Sequence, residues 1–128
     1  MTLAIGALLG FIAIAFGAYA EHGLKETLSV HTFESLSIAL RYNQIHAIMV
    51  VILGLIKLQP GRLANTPSLC WAGVCFIAGT GLFSFSIYLS AVLAAPGLTF
   101  FAPLGGTLLM LGWLMLAITG IRARSLIK

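Results

Sequence analysis

Apolar positions fall in four long stretches, about residues 3–19, 42–58, 69–93 and 101–121, and nearly every ionisable residue lies between or beyond them. An α-helix needs roughly 20 apolar residues to cross a bilayer. The pattern therefore predicts an all-α membrane protein, a four-transmembrane-helix bundle with helices at about 3–20, 32–58, 69–93 and 101–122 in one domain over 1–128. Pro60-Gly61 and Ala95-Pro96-Gly97 break the pattern as turns. Pro103 falls in the first turn of the fourth helix, where a missing N–H costs little. The first connection, about 20–41, is the longest. Its Phe33, Leu36 and Leu40 share a helical face, so a helix is expected to start near Thr32 and run into the second span. That makes the first extracytoplasmic connection partly helical, with its opening turns at the membrane surface. Residues 3–16 have the length of a signal-peptide core, and Ala18-Tyr19-Ala20 resembles a cleavage site. No Lys or Arg precedes this run, so it is read as the first membrane helix.

Composition strengthens the reading. Hydrophobic residues make up 60% of the chain and charged ones 8%, against about 25% charged in a soluble domain. That leaves no room for a soluble catalytic module. The net charge of +4 does not point to nucleic acid, because the basic residues are dispersed at helix ends. Lys57, Arg62, Arg122, Arg124 and Lys128 lie on the side of the second connection and C-terminus. Lys25 and Arg41 lie on the other side, with Glu21, Glu26 and Glu34. Basic residues resist translocation, so both termini are expected inside and the first and third connections outside. Cys70 and Cys75, five residues apart on a helix, face different directions and read as small apolar fillers.

Small residues form stripes on three of the helices. The first carries Gly6, Gly10 and Gly17, the third Gly73 and Gly81, and the fourth Gly105, Gly106 and Gly112. Such stripes let helix backbones approach, within a bundle or between protomers of a homo-oligomer.

The polar residues converge. Glu21 and His22 end the first helix; Arg41, Tyr42, Asn43, Gln44 and His46 begin the second; Ser84, Ser86 and Tyr88 lie late in the third. In an up-down-up-down bundle all of these lie in the outer half, and the inner half has almost no such side chains. Tyr42 and His46 share a helical face, with His46 about 6 Å deeper. The candidate binding or network residues are thus His22, Arg41, Tyr42, Gln44, His46, Ser84, Ser86 and Tyr88, with Arg41 expected to pair with Glu21 or Glu34. No His or Cys spacing supports a metal or haem, so no metal, cofactor or catalytic residue is expected. Trp71 and Trp113 read as interfacial or packing aromatics.

The expected function is that of a non-enzymatic multi-pass membrane protein. Its outward polar cluster would organise the helix ends or bind a lipid, a small molecule or a protein partner. One alternative is a subunit of an oligomeric transporter or channel. Another is a membrane enzyme or redox subunit using His22 and His46.

Four segments also carry a family resemblance: Gly17-Ala18-Tyr19-Ala20-Glu21-His22-Gly23-Leu24-Lys25, Tyr42-Asn43-Gln44-Ile45-His46-Ala47, Leu82-Phe83-Ser84-Phe85-Ser86-Ile87-Tyr88, and Pro103-Leu104-Gly105-Gly106 with Gly112-Trp113. In order and spacing they resemble the small bacterial membrane family DUF 423 (domain of unknown function), related to eukaryotic transmembrane protein 256. The resemblance implies four membrane helices in a bacterial inner membrane and no established activity. It places His22, Tyr42, His46, Ser84, Ser86, Tyr88, Pro103, Gly105, Gly106 and Trp113 at motif positions. The chain departs from the family pattern at Glu21 (usually small), Phe85 (usually Gly) and Ala102 (often Thr).

Overall fold

The computed structural model describes residues 1–123, so Arg124 and Lys128 of the basic tail lie outside the described residues. The order is α1 (Thr2–Tyr19), a π turn (Ala20–Leu24), α2 (Val30–Leu58), α3 (Pro67–Thr80), a second π turn (Gly81–Phe85), α4 (Ser86–Val92), a 3-10 turn (Pro96–Phe101) and α5 (Ala102–Ala123). These join into four rods, Thr2–Leu24, Val30–Leu58, Pro67–Val92 and Pro96–Ala123, each long and apolar enough to cross a membrane. The shortest, with 23 residues, is about 35 Å long against a hydrocarbon core of about 30 Å. No strand occurs among the described residues.

The element ends differ from expectation by local chemistry. The first rod does not stop near residue 20, because the π turn carries it to Leu24. α2 starts at Val30 rather than Thr32, because Ser29 is its N-cap: the extended Ser29 backbone turns its hydroxyl to accept from the Thr32 N–H at 3.2 Å. The first connection thereby shrinks to residues 25–29, closed by the Thr27 and Leu28 N–H groups donating to the Leu24 carbonyl. α3 opens on Pro67, two residues early, at a position that suits proline. Pro103 lies in the first turn of α5, as expected.

The rods run antiparallel. The first and third connections lie at one end, called upper here; the second connection and the end of α5 lie at the other. α1 packs chiefly on α2 and α3 chiefly on α5, while α2 joins the two hairpins. Glycines set the closest approaches. A Cβ on Gly6 would lie 2.6 Å from the Val51 nitrogen, and one on Gly54 would lie 2.5 Å from the Leu3 Cα. A Cβ on Gly105 would meet the Phe83 nitrogen at 2.3 Å, and one on Gly112 the Phe76 ring at 2.6 Å. Lipid gives helices no hydrophobic reason to associate, so close packing of this kind holds a membrane bundle together. Gly10, Gly17 and Gly106 make only ordinary contacts, and Gly81, expected to pack, has nothing within 4 Å of a would-be Cβ. Gly54 and Gly79, absent from the predicted set, are tight.

Two apolar clusters result. The upper one holds Ala20, Leu24, Leu36, Ala39, Tyr88 and Ala91. The lower one holds Val50, Leu53, Leu69, Ala72, Phe76 and Leu109. The lower half, where almost no polar side chains are expected, holds one buried pair. Ser68 and Thr119 are buried and their hydroxyl oxygens lie 2.7 Å apart. Thr119 donates to the Met115 carbonyl, so its one hydroxyl hydrogen is taken and Ser68 is the donor between them.

Candidate functional site

The polar residues of the upper half divide into two groups on adjacent faces of α2. The first lies against the third rod. The Ser84 hydroxyl donates to the Ala39 carbonyl at 2.8 Å, across an interface kept narrow by the small Ala39 side chain. The Tyr88 hydroxyl donates to the same carbonyl in a long contact of 3.5 Å and accepts from Asn43 Nδ2 at 3.2 Å. The Phe16 ring stacks on Tyr88 with centroids 4.2 Å apart. Asn43 and Ser84 are wholly buried and Tyr88 nearly so. This is a closed group that ties α1, α2 and the third rod together.

The second group lies between α2, the second π turn and α5. His46 Nδ1 sits 2.7 Å from the Tyr42 carbonyl, and the Trp113 indole N–H donates to His46 Nε2 at 3.2 Å. A carbonyl only accepts and an indole N–H only donates. The imidazole therefore carries its hydrogen on Nδ1 and offers its lone pair to tryptophan from Nε2. Both ring nitrogens are engaged. Around His46 stand Tyr42, Phe76 and Trp113, with centroids at 5.9, 5.3 and 6.2 Å. Phe83 rests on Tyr42 at 4.8 Å. Beside these rings a lateral cleft of about 370 Å³ opens, lined by Tyr42, His46, Phe83, Pro103, Gly106 and Trp113 among others. Thr107 in its wall donates to the Pro103 carbonyl, while Tyr42 is 40% exposed and its hydroxyl makes no hydrogen bond among the described residues.

The remaining predicted residues are not assembled here. His22 is exposed in the first π turn and does not meet His46. Arg41 is exposed and makes no ion pair with Glu21 or Glu34 among the described residues. Glu21 pairs instead with Lys25, one turn along, and Lys25 also lies over the Phe33 ring. Gln44 faces a different groove, beside Gly6, Gly10 and Ala47. Ser86 bonds only to the Phe83 carbonyl of its own rod. Asn43 stands among the converging polar residues of the sequence but not among the candidates drawn from them, and sequence reasoning missed Thr80 as a buried polar residue and Trp113 as the partner of His46. Tyr42, Asn43 and Gln44 are equally polar neighbours, so only burial separates them. Residues 46 and 113 are joined by tertiary packing alone. Among the described residues no group of three or more His, Cys, Asp or Glu could hold a metal ion.

Four apolar rods, joined by a buried hydrogen-bonded interface and flanked by an aromatic cleft, define a small multi-pass membrane protein. The chain belongs to the family described as a protein of unknown function (DUF423), whose model matches residues 16–106. It is 33% identical to a UPF0382 membrane protein of Haemophilus influenzae over 97% of this chain and 96% of that one. It is 32% identical to a UPF0382 membrane protein of Staphylococcus aureus over 89% of each chain. A UPF0382 inner membrane protein of Escherichia coli, YgdD, is 30% identical over 95% of this chain and 90% of its own. No solved structure matches.

Proposed function

We propose that this is a non-enzymatic protein of the bacterial inner membrane that holds an amphipathic lipid in the cleft beside His46 and Trp113. The observation carrying this reading is the character of the cleft. Its walls are aromatic and apolar, and its polar floor is already hydrogen-bonded internally. Such a surface selects by shape and apolar contact, with few polar groups to orient a ligand. Tyr42 lines the cleft, and its hydroxyl, free of hydrogen bonds among the described residues, suits the polar end of a lipid. The upper end faces outward and both termini face the cytoplasm, in keeping with the distribution of Lys and Arg. The Escherichia coli relative is named an inner membrane protein, which supports the compartment.

Native mass spectrometry after gentle detergent extraction tests the reading. The wild-type protein should retain bound lipid, and Gly106→Phe, which fills the cleft without touching its hydrogen bonds, should lose most of it. Equal retention by both proteins, or none by either, overturns the proposal.

A further inference from the structure

Two side-chain oxygens inside the bundle have no hydrogen-bond partner among the described residues, Asn43 Oδ1 and Thr80 Oγ1. Both residues have 0% exposure. At membrane depth such groups are nearly always satisfied, because hydrocarbon offers nothing in exchange. The Asn43 amide is oriented by its own bond: Nδ2 donates to Tyr88, which leaves Oδ1 as an acceptor awaiting a hydrogen. Thr80 is unusual for a helical threonine. Thr107 and Thr119 each donate to the carbonyl four residues back, and Thr80 does not.

Register brings the two to one level. Ser84 donates to Ala39 across the interface between α2 and the third rod. One turn below Ala39 on α2 is Asn43, and about one turn below Ser84 on the antiparallel rod is Thr80. Thr80 also directly precedes the π turn Gly81–Phe85. A π turn inserts an extra residue and widens the helix locally, and water entering the backbone ladder is a recognised cause of such irregularities.

We infer that one water molecule is held between Asn43 Oδ1 and Thr80 Oγ1, bridging α2 to the π turn of the third rod. It donates one hydrogen to the amide oxygen, and its second hydrogen and lone pairs face the Thr80 hydroxyl and the π-turn backbone. Buried waters usually make about three such bonds. A neutral ligand fits better than a cation. Glu21, Glu26 and Glu34 are the only carboxylates of the chain, and all are exposed near the upper end. An ion at this depth would have no countercharge.

Two measurements decide it. In a high-resolution map of the wild-type protein a single peak should lie within about 3.2 Å of both oxygens. A direct Asn43–Thr80 bond with no peak overturns the inference. So does a peak ringed by five or more oxygens at about 2.4 Å that appears only with a particular cation. Thr80→Val keeps the shape and removes the hydroxyl. It should melt roughly 3–6 °C lower in detergent, and Thr80→Ser should restore most of the loss. A Thr80→Val protein that melts higher than wild type marks the hydroxyl as an unpaired liability and overturns the bridge.

Discussion

Asn43 and His46 stand three residues apart on α2, about 60° apart around the helix, and the sites they build are opposites. Asn43 points into the interface with the third rod, where hydrogen bonds to Tyr88 and from Ser84 to Ala39 bind helix to helix in a buried seam. His46 points toward α5, where its own bonds are complete and a cleft remains beside it. The first site uses polar groups to hold the rods together. The second uses them to fix the rings that line the cleft. One helix face thus closes a buried seam and the next borders an open cleft, although both are rich in polar and aromatic side chains.

The sharpest way to break this contrast is Tyr88→Ala. It removes a buried ring stacked on Phe16 and strips Asn43 Nδ2 of its acceptor. The expected loss is about 3–5 kcal/mol, measured by reversible unfolding in mixed micelles. A loss under about 1 kcal/mol would mean that the seam is not what holds the hairpins together. Tyr88→Phe keeps the stack and should lose only about 1 kcal/mol, in line with the modest strength of hydrogen bonds inside membranes.

Neighbouring glycines on α5 carry the same division at smaller scale. Gly105 faces the backbone of the third rod, where a Cβ would meet the Phe83 nitrogen at 2.3 Å and the Gly79 oxygen at 2.8 Å. Backbone cannot swing aside as a side chain can, so Gly105→Ala must part the helices, at about 1–3 kcal/mol. Gly106 lines the cleft, and its Cβ would reach only the Phe83 ring at 3.8 Å. Gly106→Ala should be neutral or gain slightly, since alanine favours helix by up to about 1 kcal/mol. Comparable losses in the two variants would erase the distinction between closed and open faces.

The spans were legible from the apolar pattern because lipid imposes one requirement along the whole of each helix. The gathering of polar groups in the upper half was legible too, since antiparallel rods bring those chain positions to one level. Azimuth was not. Each π turn adds a residue to the helical register and rotates the remainder of its rod by about 100°. His22 lies within the first such turn, outside the cluster it was expected to join. Glu21 and Lys25 satisfied each other locally, which left Arg41 without the partner expected for it. Gly54 and Gly79 escaped notice because a tight glycine is defined by the helix opposite, which for Gly54 is the Leu3 backbone. The Ser68–Thr119 pair links residues 51 positions apart, and neither has a neighbour in sequence that marks it as buried.

The finest test of the open face is Trp113→Phe. The substitution keeps an aromatic ring against Phe76, whose centroid lies 5.4 Å from that of Trp113, and removes only the indole N–H. His46 Nε2 then loses its donor, while Nδ1 still bonds to the Tyr42 carbonyl. The expected loss is about 1 kcal/mol, read as a small drop in melting temperature. Because the freed lone pair borders the cleft, bound lipid should be retained less well or exchange faster. His22→Ala is the matching control: an exposed side chain with no hydrogen bond among the described residues should change stability by less than about 0.5 kcal/mol. If His22→Ala cost as much as Trp113→Phe, the two histidines would be coupled after all. If Trp113→Phe altered stability but left lipid retention untouched, His46 would belong with Asn43 as part of the frame, and the cleft beside it would be no more than a surface hollow.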